Sequence, residues 1–251
     1  MKKFILHLII LVVILVLSGL VFLGVTGYDA YMKAIKETSI SDKINEIQTE
    51  KNYTKIDDVS EMYKNAVIAV EDHRFYEHGG IDIIATMRAM ARNIKSKELL
   101  EGGSTITQQL AKNTYFTQSK SFVRKVSEAF MALKYEKECD KDTIFELYIN
   151  TSYFGDGYYN VKEASLGYFN KLPSELNDYE ATLLAGVPNA PSIYAPTVNF
   201  ELASQRQNQV LDKMVKYKYI TEEKKKEIQS QKEQYKKYFE EKKWKKKNIY
   251  E

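Results

Sequence analysis

The start of the chain constrains it most. Lys2 and Lys3 precede an apolar run from Phe4 to Val25 that is broken only by His7, Ser18, Gly19 and Gly24. At 1.5 Å per residue such a run makes a helix of roughly 33 Å, enough to cross a hydrocarbon core of about 30 Å. A cleaved signal peptide would have a shorter apolar region, about 7–15 residues, ending in a small-x-small site. Neither feature is clear, so residues 1–27 read as an uncleaved anchor. The two lysines favour a cytoplasmic N-terminus with the remaining chain outside. No second run of that length follows, which predicts a single-pass protein.

The other 224 positions must then supply any folded body (251 − 27). A hydrophobic content of 44% with 28% charged residues is the balance of a globular domain with appendages. The net charge of +3 is small against 37 basic and 34 acidic side chains, so no global field favours nucleic acid, and none is expected as a partner. Cys139 is the single cysteine and cannot close an internal disulfide, which leaves stability to an apolar core. Nineteen tyrosines and 11 phenylalanines suit both a core and a groove that meets sugar or lipid.

Residues 28–60 are polar with weak periodicity and read as a juxtamembrane stalk. From Met62 apolar residues recur at three and four positions, the helical period. The pattern predicts helices over Met62–Phe75, Ile83–Lys97, Thr105–Tyr115, Phe122–Lys137, Lys141–Thr151, Val161–Phe169, Asp178–Gly186 and Glu201–Tyr217. The fold class is therefore mainly α, with a domain over residues 61–220. Residues 221–251 are rich in Lys, Glu and Gln and read as a solvated helix fraying into a tail. Lys242, Lys243, Lys245, Lys246 and Lys247 around Trp244 offer the rival reading of a contact with anionic lipid or wall polymer.

Chemistry-bearing residues cluster in short segments. Ala66–Val70 is an apolar run that ends directly on Glu71 and Asp72. A buried helix turn there would carry Glu71 into a partly desolvated site, the setting of a general base; the bland alternative is a surface acid paired with Arg74. His73 and His78 lack the companions of a metal motif and read as structural. In the segment Gly102–Asn113, Thr105 and Gln108 fit a capping box, and the helix start with Lys112 two turns on could hold a phosphate or pyrophosphate; the alternative is a well-capped polar surface helix. Arg124 and Glu128 share a helix face, either as a second functional carboxylate with its cation or as a plain surface pair. Asp140-Lys141-Asp142 imitates an acid-x-acid metal site but sits where a helix needs an N-cap, and the cap is preferred.

In this order the segments resemble the family-51 glycosyltransferases, the peptidoglycan polymerases that occur alone or as the N-terminal part of bifunctional penicillin-binding proteins. Glu71-Asp72-x-x-Phe75-x-x-His78-x-Gly80 resembles the first family motif. Gly102-x-Ser104-Thr105-x-Thr107-Gln108-Gln109-x-x-Lys112-Asn113 resembles the second, and Arg124-Lys125-x-x-Glu128 the third. Ile144-x-Glu146-x-Tyr148-x-Asn150 resembles the fourth. The stretch from Tyr168 through Glu180 and Gly186 to Pro188, Pro191 and Pro196 resembles the fifth.

The resemblance implies a lysozyme-like helical domain whose cleft lies next to the membrane. The implied substrates are lipid II and the growing glycan chain, with Glu71 as the base and Glu128 as the second catalytic carboxylate. Lys112, Arg124 and Lys125 would meet the departing pyrophosphate. Asp72, Phe75, His78, Ser104, Thr105, Gln108, Gln109 and Asn113 would complete the substrate-binding groove. Glu146 and Asn150 would brace the cleft. No protein-bound metal or required cofactor is implied, with a divalent cation, Mg or Mn, as an optional aid at the pyrophosphate. Separate transpeptidases or division and elongation proteins are the implied partners, since neither Ser-x-x-Lys nor Lys-Thr-Gly of a transpeptidase is present. Asn170, where the family usually has glycine, and Phe145, in place of a small aliphatic residue, put local packing in question. A lysozyme-like hydrolase of the same polymer is the first rival, but it has no need of the three cations. A non-enzymatic, membrane-anchored wall-binding protein is the second; it would be indifferent to Glu71→Gln.

Overall fold

The computed structural model describes residues 1–96, 102–116 and 121–248. The elements in chain order are α1 (Lys2–Glu37), α2 (Ile40–Gln48), α3 (Glu61–Glu71), α4 (Ile83–Ser96), α5 (Ile106–Tyr115), α6 (Phe122–Glu138), α7 (Lys141–Thr151), α8 (Val161–Phe169), α9 (Asp178–Gly186), α10 (Pro191–Tyr194), α11 (Phe200–Lys216), α12 (Glu222–Ser230) and α13 (Lys232–Asn248), with short 3₁₀ turns between some of them. The described residues contain no strand, so the body is all-helical, in keeping with a lysozyme-like transglycosylase domain. Lys97, the last residue of one predicted helix, lies outside the described residues, as do the side chains of Lys245, Lys246 and Lys247.

The core is built around α9, whose residues from Tyr179 to Gly186 are all buried, with α3 and α11 packed on it. Much of its volume is aromatic: Tyr63, Tyr135, Tyr148, Tyr168 and Tyr179 are wholly enclosed with Phe75, Phe145 and Phe154. Side-chain caps fix the helix starts. Asp140 accepts the Thr143 amide at 2.8 Å, which is the cap its sequence position suggests. Asn170 ends α8 in the left-handed conformation, φ 57°, and asparagine is among the few residues that take that place of glycine readily. Phe145 fills the space between Phe75 and Tyr148, its ring centroid 6.2 and 6.5 Å from theirs.

Helix α3 ends at Glu71 and not at Phe75, the sequence pattern does not predict α10, and two longer stretches differ from the sequence reading. The anchor helix does not stop near residue 27 but runs unbroken for 36 residues, and the supposed stalk then folds back as α2, with Ile40, Ile47 and Val59 in the core. Motif four holds that stretch down. Asn150 brackets Thr54, accepting its N–H and donating to its carbonyl at 2.8 Å each, while Glu146 accepts from the Tyr53 hydroxyl and, at 2.7 Å, from the Ile56 amide. The tail is likewise not loose. Ile228, Tyr235 and Phe239 of α12 and α13 enter the core, Tyr235 stacks on Tyr179 with centroids 4.2 Å apart, and its hydroxyl donates to Glu180 at 2.8 Å.

The membrane helix and the body share one seam. The C-terminal part of α1 packs along α6, and a Cβ on Gly27 would fall 2.5 Å from Val126 Cγ1, so only glycine allows this approach. Ser127 Oγ donates to the Gly27 carbonyl at 2.9 Å, and Tyr28 and Tyr31 close on Phe130. The seam begins within a turn of the end of the apolar run. It fixes α6, and with it Arg124, Lys125 and Glu128, beside the C-terminal part of the apolar helix.

Candidate active site

A cavity of about 770 Å³ opens between α3, α4, α5, α6 and α11. Glu71 and Asp72, Ser104, Thr105, Gln108, Gln109 and Lys112, and Arg124, Lys125 and Glu128 all line it. Residues 57 positions apart in the chain (128 − 71) thus share one chamber.

Glu71 is the last residue of α3, behind the buried face Ala66, Val67, Ile68 and Ala69. Its side chain is 9% exposed, with Oε1 3.3 Å from Arg206 Nη2 and Oε2 accepting from Gln109 Nε2 at 2.9 Å. The surface pairing with Arg74 is not formed. Arg74 instead binds Asp82 with both Nε and Nη2, at 3.0 and 2.7 Å.

Glu128, in the same lining, is 1% exposed and sits among cations. Lys125 Nζ lies 3.0 Å from its Oε2 and also donates to Ser104 Oγ at 2.7 Å. Arg124 Nε is 3.3 Å from Oε1, as an ion pair off the hydrogen-bonding direction. Burial pushes the Lys112 ammonium below its ordinary range, and Glu128 pulls it part of the way back, while Arg124 and Lys125 push it lower. Cations this close together, with one buried carboxylate among them, make a socket suited to an anion with more than one charge.

Asp72 organises rather than reacts. His78 Nε2 is 2.7 Å from its Oδ1, and the Ile106 amide, first of α5, donates to Oδ2 at 3.1 Å. Burial works against a charged His78, but the hydrogen bond and charge of Asp72 outweigh it and raise the imidazole above its usual range. The helix start of α5, expected to hold a phosphate, is thereby occupied by the protein's own carboxylate. Thr105 and Gln108 are the buried capping box, Thr105 Oγ1 accepting from Gln108 N at 3.0 Å and Gln108 Oε1 from Thr105 N at 3.1 Å. The cations left on the lining near this helix start are the side chains of Lys112, Arg124 and Lys125.

Three expected groove residues lie elsewhere. Phe75 is fully buried in the core, His78 stands behind Asp72, and Asn113 is on α5 outside the cavity lining. Conversely, the lining includes His73, Arg88, Arg206, Lys213 and Tyr217, none of which the sequence reading placed there. His73 stacks on Tyr217 with centroids 3.9 Å apart, and burial, with Arg88 nearby, lowers its pKa. The period of α11 was legible, but charged residues on it look like an ordinary solvated face.

Asp72, His78 and Asp82 could in principle gather a metal ion. Their oxygens are already committed: those of Asp72 to His78 and Ile106, those of Asp82 to Arg74 and the Ala85 amide at 2.9 Å. The Glu128 carboxylate is likewise held between cations. These donor sets do not fit a resident divalent ion.

Residues 37–215 match the family profile described as Transglycosylase. The penicillin-binding protein 1A of Neisseria lactamica is 47% identical over 171 residues, which are 68% of this chain and 21% of that protein. That of Aquifex aeolicus is 46% identical over 171 residues, 68% of this chain and 24% of its own length. The chain thus spans between a fifth and a quarter of the length of these relatives.

Proposed function

Because the chain belongs to the transglycosylase family, we propose that it is a peptidoglycan glycosyltransferase that extends glycan strands from lipid II at the outer face of a bacterial cytoplasmic membrane. The observation that carries this reading is the one cavity that Glu71 shares with Lys112, Arg124 and Lys125. Glu71 removes the proton of the 4-hydroxyl of an incoming lipid II sugar. The freed oxygen attacks the anomeric carbon of the growing chain and inverts its configuration. The bond to polyprenyl pyrophosphate breaks, and the electron pair leaves with the pyrophosphate, whose added charge the three cations neutralise. Glu128, buried among them, keeps the cations apart and in place until that charge arrives. A hydrolase acting on neutral sugar linkages would have no use for such a socket.

The membrane setting has its own support. Besides α1, the described residues present an apolar face on α4, where Ile83, Ile84, Met87 and Met90 are exposed, and Phe122 at the start of α6 is 81% exposed. Bare side chains of this size beside a cavity for a lipid-linked substrate fit contact with the bilayer surface. Arg88 and Ala89 on the other side of α4 line the cavity, so the helix separates lipid from site.

The test is polymerisation of purified lipid II by the detergent-solubilised chain, with and without moenomycin. Long strands that vanish with the inhibitor support the reading, and Glu71→Gln should slow their formation by about a hundredfold or more. Cleavage of existing glycan, or activity indifferent to Glu71→Gln, would refute it.

A further inference from the structure

Glu71 holds an electrostatically awkward place. It is the last residue of α3, so its carboxylate belongs to the negative end of that helix's dipole, and Asp72 follows directly. Asp72 is answered locally by His78 and by the N-terminus of α5. Glu71 is answered from further away, by Gln109 of α5 and by Arg206 of α11, 135 positions along the chain.

Both partners are themselves held. Tyr148 is wholly buried, and burial keeps its hydroxyl protonated far beyond the ordinary phenol range. That hydroxyl stands 3.5 Å from Gln109 Oε1, so the amide NH₂ is the end left for Glu71. Arg206 reaches the site across Gly186, where a Cβ would lie only 2.9 Å from Arg206 Cγ. Its Nη1 donates to Gln209 Oε1 at 2.9 Å and its guanidinium faces the Tyr194 ring at 6.0 Å. At 13% side-chain exposure it is anchored on several sides, unlike a cation that swings to meet a ligand.

We propose that Arg206 is a positioning residue for the transfer reaction: with Gln109 it pins the Glu71 carboxylate against the repulsion of its own helix end. Each Glu71 oxygen spends one acceptor site on these partners and keeps another for the acceptor hydroxyl. Gly186 belongs to the same device, since its missing side chain is the channel for the Arg206 stem. The inference rests on the polymerase reading for its kinetic consequence and on geometry alone for the pairing.

The test is steady-state kinetics of lipid II polymerisation by Arg206→Met, Arg206→Lys and Gly186→Ala, together with thermal melts of Arg206→Met, Glu71→Gln and the double variant. Arg206→Met is expected to lower kcat about a hundredfold while KM stays within about twofold, the pattern of a misaimed base. Arg206→Lys should recover part of that loss, and Gly186→Ala should show a smaller loss of the same kind. In a Glu71→Gln background Arg206→Met should cost no further kcat, and in the melts the double variant should fall by less than the sum of the two single variants. A raised KM at constant kcat, or an equal loss with and without Glu71, would overturn the proposal. So would strictly additive melts, which can be read whether or not the protein polymerises anything. Absence of wild-type polymerisation sinks the reading of function, and the melts still decide the pairing.

Discussion

Replacing Glu128 by glutamine keeps the shape of the side chain and removes the one carboxylate buried among Lys112, Arg124 and Lys125. The pair with Lys125, which is 44% exposed, contributes about 1 kcal/mol or less. The pair with Arg124, 17% exposed against a side chain at 2%, is a part-buried ion pair worth about 2 kcal/mol, less than a fully buried one. Crowding of the unneutralised cations adds to that, for a total near 3 kcal/mol. In a chain of this size each kcal/mol moves the melting temperature by about 2–4 °C, so Glu128→Gln should melt roughly 6–12 °C below wild type. Thermal melts in detergent at low ionic strength measure it. Inorganic pyrophosphate should restore more stability to the variant than it adds to wild type, because the anion supplies the missing negative charge. A variant that melts with wild type, or that gains no more from pyrophosphate, would refute the picture of a carboxylate holding open a cationic socket.

The seam between α1 and α6 predicts that Gly27→Leu, which has no room beside Val126, lowers polymerisation in liposomes and costs about 1–3 kcal/mol; melts and liposome assays compare it with wild type. His78 has a raised pKa through Asp72, so its contribution to stability is complete below the unfolded value of 6.5 and is lost as pH rises through the folded value. Melting temperature across that range should therefore fall more steeply in wild type than in His78→Gln. Asn150→Ala removes both bonds to Thr54 and should cost about 2–3 kcal/mol while leaving the specific activity of the folded fraction unchanged, as a brace distant from the chemistry requires. Its melt and its turnover per folded molecule check the two halves of that statement.

The helices α3 to α9 and α11 could be located in the sequence because their apolar spacing is dense and their caps are explicit, as with Thr105, Asp140 and Asn177, whereas the four-residue α10 lies among prolines that read as a break. What escaped has a common cause. Residues 28–60 and the C-terminal helices meet the core through few and scattered side chains, Ile40 and Ile47 at one end, Ile228, Tyr235 and Phe239 at the other, and these are diluted among charges. Composition then reads solvent where the fold finds a contact.

The site shows a similar divide. Glu71, Lys112, Arg124, Lys125 and Glu128 belong to short motifs whose chemistry is visible locally, and one cavity unites them. Motif membership alone does not separate a lining residue from its scaffold, which is why Phe75 and His78 lie behind the site and not in it. Arg206 carried no local signal because its meaning depends on a partner 135 positions away.

On the function proposed above, the unbroken run of α1 from Lys2 to Glu37 leaves no joint between lipid and body. A swivelling tether would let the body bob and turn over the surface, whereas a continuous strut sets one working altitude and one heading. A bilayer that thins or thickens must then be met by leaning the whole molecule. Lipid composition thereby becomes a mechanical input to where the chamber points.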